Sequence, residues 1–138
     1  MKLRLVAHSP DIETMIATSM KTTTSGAMPS TLFNRFKERP EKVADIVGRV
    51  EVQHGNILEH NRLVWSIEAP RDRVLDIMLK TKFLTFTELG DDRWVMSGNL
   101  RSVIELHLAH KDDFTDALVE TVLKASPRVY NFIKKGEK

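Results

Sequence analysis

A chain of 138 residues, 41% hydrophobic and 29% charged, is long enough to close one core and too apolar to stay disordered. Its formal charge is only +2, much of it in the run Lys134-Lys135-Gly136-Glu137-Lys138, so a pI near 9.0 does not by itself imply nucleic acid. The absence of cysteine excludes a disulfide framework and thiolate chemistry, no apolar run approaches the roughly 20 residues of a membrane helix, and no secretion signal is visible; the expectation is a cytoplasmic protein without a membrane partner.

Leu3 to Ala7 alternates and reads as a strand. Ser9-Pro10-Asp11 reads as a helix start with Ser9 as N-cap, followed by Ile12, Met15, Ile16 and Met20 at helical spacing. Lys21 to Ser30 is the longest polar stretch and reads as a loop. A short helix is expected over Leu32 to Lys37. Another starts at Pro40, with Val43, Ile46, Val47 and Val50 on one face.

Leu63 to Ile67 has strand character, anchored by Trp65. Pro70 marks a helix start whose buried stripe would be Val74, Ile77 and Met78. Phe83 to Thr87 returns to β propensity, Gly90-Asp91-Asp92 is a turn, and Trp94-Val95-Met96 is a short strand. Leu100, Val103, Ile104, Leu106 and Leu108 suggest a buried helix. Asp112-Asp113 opens one more, carrying Phe114, Leu118, Thr121 and Val122. Pro127 breaks it before a last amphipathic piece with Val129, Phe132 and Ile133. Strands intermixed with helices, with no repeat and no linker, predict a single α+β domain over residues 1–138.

Two stretches hold most of the chemistry. The first is Ser97-Gly98-Asn99-Leu100-Arg101-Ser102. Here Gly98 permits a tight turn or close ligand approach, and Asn99 is a good N-cap. The first-turn N–H groups and the Arg101 fork then make a candidate anion site; a plain capped helix with an exposed arginine is the alternative. The second, upstream, is His54-Gly55-Asn56-Ile57-Leu58-Glu59-His60. Glu59 and His60 are adjacent and point apart on a regular element, so no metal-ligand set is completed there. His107 and His110 are spaced to share a helix face with Asp113 beyond, a weak metal pattern and more simply a solvated polar face.

Together the two stretches resemble the flavin-dependent thymidylate synthases, which have a His-x4-Glu-His approach to a strand and a Thr/Ser-Gly-Asn-Leu-Arg-Ser helix start. The resemblance spans most of the chain. It implies mixed helices around a small antiparallel sheet, an FAD cofactor, a pyrimidine nucleotide ligand and a homotetramer with sites shared between subunits. It places His60, Asn99, Arg101 and Glu105 at the flavin, and sets Lys80-Thr81-Lys82 on the family's Arg-His-Arg signature, where they would hold cofactor phosphates. Glu88, Arg101 and His110 fall at the substrate nucleotide, and Thr85 and Phe86 on the family's Ser and aromatic positions. No catalytic residue is assigned, and the family needs no cysteine nucleophile.

The chain also departs from the family. His110 stands where the synthases keep an arginine for the pyrimidine. Lysines replace the bidentate arginines, and Gly90-Asp91-Asp92 takes the place of a Ser-x-Arg-Tyr loop that closes on the nucleotide, setting carboxylates where a phosphate should dock. Two readings follow: a shortened synthase that methylates dUMP to dTMP, or a non-catalytic descendant that keeps fold, oligomer and nucleotide or partner binding. A small nucleic-acid binder ranks last, because no aromatics are clustered between the basic residues.

Overall fold

Apolar residues alternate along β1 (Lys2–His8), β2 (Leu63–Glu68) and β4 (Arg93–Gly98), the pattern a sheet covered on one face requires. With β3 (Thr85–Gly90) they form one antiparallel sheet in the order β1-β2-β4-β3 in the computed structural model, which describes residues 1–22, 24–50 and 56–137. His54 and Gly55 of the upstream motif lie outside the described residues. Trp65 stands opposite Leu5 on one side and Met96 on the other, while Ile67 faces Leu3 and Trp94. Leu63, Trp65, Ile67, Trp94 and Met96 are therefore buried on one face. The row Arg4, Ser66, Val95, Thr87 crosses the other face, which stays open or half-covered.

Seven helices complete the α+β domain among the described residues: α1 (Ile12–Thr22), α2 (Pro29–Lys37), α3 (Pro40–Val47), α4 (Arg71–Lys80), α5 (Leu100–Ala109), α6 (Asp113–Ala125) and α7 (Pro127–Gly136). Proline opens α2, α3 and α7, where its missing N–H costs no helical bond. Asp112 and Thr115 form a reciprocal capping box at α6. The helices bury Ile16, Val47, Val103, Leu118 and Val122 in one core with the sheet. Trp65 also donates its indole N–H to Thr121 Oγ1 on α6 at 2.8 Å. None of the described helices is long and apolar enough to cross a membrane.

The β3–β4 turn is built as the sequence suggests. Gly90, Asp91 and Asp92 all have positive φ, at 89°, 54° and 58°. Two left-handed residues between antiparallel strands give a connection whose twist matches the strands.

Several expectations are corrected. Ser9 does not cap α1, which starts three residues later; the Ser9 hydroxyl instead accepts the Arg62 N–H at 2.8 Å and pins β1 beside β2. The expected loop over Lys21 to Ser30 is shorter, because α1 runs to Thr22 and α2 begins at Pro29. Val50 is buried but lies beyond the end of α3. Phe83 precedes β3 and is exposed. Met78 and Leu108 are exposed rather than buried, since no described element covers those helix faces.

Candidate functional site

The two motifs meet. Asn61, just after Glu59 and His60, accepts the Leu100 N–H on its Oδ1 at 2.8 Å and donates its amide to the Leu58 carbonyl at 2.9 Å. Asn99 is the N-cap of α5: its Oδ1 accepts both the N–H and the hydroxyl of Ser102 at 2.9 Å. Two N–H groups of the first turn are thus met by asparagine side chains before any ligand arrives. Arg101 projects between Glu59 and Glu105, donating Nε to Glu105 Oε1 at 2.8 Å and Nη1 to Glu59. A cavity of about 350 Å3 opens here, lined by Glu59, Phe83, Asn99, Arg101, Ser102 and Glu105.

This arrangement sets the local charge. The Glu105 and Glu59 hydrogen bonds hold the Arg101 guanidinium above its ordinary pKa, so it stays protonated. Two carboxylates against one guanidinium leave the lining slightly acidic. A free phosphate would have to displace a carboxylate and would be repelled by the other. The donor set therefore does not fit the diphosphate of FAD within one chain. It does fit a neutral heterocycle with an imide edge: guanidinium N–H groups for its carbonyls, a carboxylate for its ring N–H, and Phe83 for its face.

The other expected residues do not line this cavity. His60 is exposed beside Glu59. Lys80, at the end of α4, is held by Asp76 at 3.0 Å and Asp112 at 3.7 Å. Thr81 accepts the Phe83 N–H at 3.4 Å in the turn after α4, and Lys82 is exposed. Glu88 on β3 forms a forked pair with Arg71, at 2.8 and 2.9 Å. His110 is the C-cap of α5, about 16 Å from Asn99 by helical rise.

Gly98 serves packing. A Cβ there would stand 2.4 Å from Leu84 Cδ2, so the glycine makes room for a buried leucine. Two clusters have no counterpart in the sequence reading. Arg62 lies on the open sheet face and donates to Ser97 Oγ at 2.8 Å and Thr85 Oγ1 at 3.1 Å. His107 is 2% exposed, not on a solvated face with His110 and Asp113. Its Nδ1 bonds Thr115 Oγ1 at 3.0 Å and its Nε2 bonds Glu137. His107, Asp116 and Glu137 could together offer ligand atoms to a metal ion. Their charges are already met by Lys111 on Asp116 at 2.6 Å and Lys134 near Glu137 at 3.6 Å, so the group works as a latch between α5, α6 and the end of α7. Compared with known proteins, the chain matches no family model and no curated protein.

Proposed function

We propose that the chain is a shortened relative of the flavin-dependent thymidylate synthases that binds the ring of a flavin or pyrimidine nucleotide at the start of α5 and does not methylate dUMP. The observation that carries this reading is the convergence of the two motifs, Asn61 on Leu100 and Glu59 on Arg101, around one cavity. The loss of methylation follows from the phosphate side. Lys80 and Glu88 are engaged elsewhere, and Asp91 and Asp92 form a tight hairpin rather than a nucleotide clamp.

Flavin fluorescence titration tests the reading. Riboflavin and FMN are expected to bind equally, because the cavity reads the ring. Arg101→Ala and Glu59→Gln should each weaken binding about ten-fold or more, the worth of one charge-assisted hydrogen bond. Absence of quenching with both flavins would overturn it. In the tritium-release assay on labelled dUMP, with folate donor, reductant and added FAD, turnover should be absent; turnover at the level of a full-length synthase would overturn the second half. We also propose the homotetramer that the family resemblance implies; His110, at the far end of α5, lies outside the cavity of its own chain, so a second copy would have to bring it there. Light scattering should then give about four times 15.8 kDa, and a monomer would remove His110 from the site.

A further inference from the structure

A second concave surface lies between the end of α1, the loop after it, α2 and α3. Its walls carry Lys21, Arg35, Arg39, Lys42 and Arg49, with Asp45 as the one acidic lining residue among the described residues. Arg49 is paired with Asp45. The side chains of Lys21, Arg35, Arg39 and Lys42 form no ion pair among the described residues. Five cations thus face one groove in a chain whose whole formal charge is +2.

Local helix electrostatics explain only part of this. Lys21 and Arg35 sit in the last turns of α1 and α2, where a cation offsets the helix dipole. Arg39 and Lys42 do the reverse: they occupy the N-cap and first turn of α3, the positive end of its dipole. Like charges gathered there repel one another and destabilise the empty fold. An anion in the groove removes both penalties.

We propose that this groove binds a small molecule carrying several phosphates. Its volume of about 510 Å3 falls in the range of small-ligand sites. Arginine forks suit phosphate oxygens. The Ser25 hydroxyl, which accepts the Ala27 N–H at 3.2 Å, keeps its own hydrogen to donate. A nucleic-acid strand fits less well, because the groove aromatic, Phe36, is buried in the floor and offers no stacking face. The groove shares no lining residue with the α5 cavity, so the proposal stands apart from the proposed flavin site.

Titration calorimetry with sodium tripolyphosphate at low ionic strength tests it. The wild type should bind with an affinity that falls steeply as sodium chloride is added. Arg35→Ala/Arg39→Ala should lose at least ten-fold, while Arg101→Ala binds unchanged. Without polyphosphate, Lys42→Ala should melt at a higher temperature than the wild type, and tripolyphosphate should raise the wild-type melting temperature. No heat from tripolyphosphate, or equal affinity in the double variant, overturns the proposal. So does tighter binding of a single-stranded oligothymidylate than of tripolyphosphate, which would make the groove a nucleic-acid track.

Discussion

Gly98 shows how one residue in a motif can be retained for packing. Gly98→Ala should cost about 1–3 kcal/mol in urea unfolding, because its methyl meets Leu84. Adding Leu84→Val should recover part of that loss, and strict additivity of the two changes would disprove the contact. The two tryptophans differ in a similarly testable way. Trp65 is fully buried and donates to Thr121, whereas the buried Trp94 Nε1 has no partner among the described residues. Trp65→Phe should therefore cost about 1 kcal/mol more than Trp94→Phe, the net worth of one hydrogen bond. Glu137 and Asp116 add a pH dependence. The His107 hydrogen bond holds the Glu137 carboxyl below its ordinary value, and the Lys111 hydrogen bond does the same for Asp116. A depressed folded pKa contributes stability that is complete above the ordinary value, 4.5 for Glu137, and is lost as the pH falls through the folded value. Melting curves between pH 6 and pH 3 should therefore steepen at the acid end, and Glu137→Gln should flatten them.

At the scale of elements, caps and prolines were readable and tertiary choices were not. Asn99, the Asp112 region and the prolines at 40 and 127 mark real helix starts because each acts within one turn of chain. Ser9 misled because its hydroxyl is taken by the backbone of Arg62, a partner no local pattern reveals. Periodicity likewise located the apolar faces of α4 and α5 but could not say whether anything covers Met78 and Leu108. The family resemblance led to the expectation that His60, Asn99, Arg101 and Glu105 share a site; that Asn61 and Glu59 rather than His60 would reach the start of α5, and that two carboxylates would close on Arg101, was not legible in the sequence. His107 was misjudged for the same reason as Ser9, its partner Glu137 lying just past the end of α7. Ser126 gives an element-scale prediction. Its hydroxyl accepts the Val129 N–H at 3.2 Å as the cap of α7 and donates to Glu13 of α1 at 2.7 Å. Ser126→Ala should cost about 1–2 kcal/mol, and a thermal melt unchanged from wild type would show that the cap is redundant.

Across the whole molecule, the asymmetry of charge is sharper than the composition suggests. With the cations of the α1–α3 groove set aside, the remaining surface is net acidic, and the α5 cavity belongs to that acidic part. The two candidate sites therefore prefer ligands of different charge, and high salt should weaken the first while leaving ring binding at the second nearly constant. The same molecule joins early and late parts of its chain. β1 pairs with β2 across more than half a hundred residues, and Glu13 on α1 holds both Ser126 and the Arg128 guanidinium, the latter at 2.8 Å. On the ribosome this has a cost in time. Leu5 must wait for Trp65 to be synthesised, and Glu13 must wait for α7. β1 and α1 thus keep their apolar sides uncovered until β2 and α7 have been made, and apolar surface left waiting in this way favours aggregation over folding.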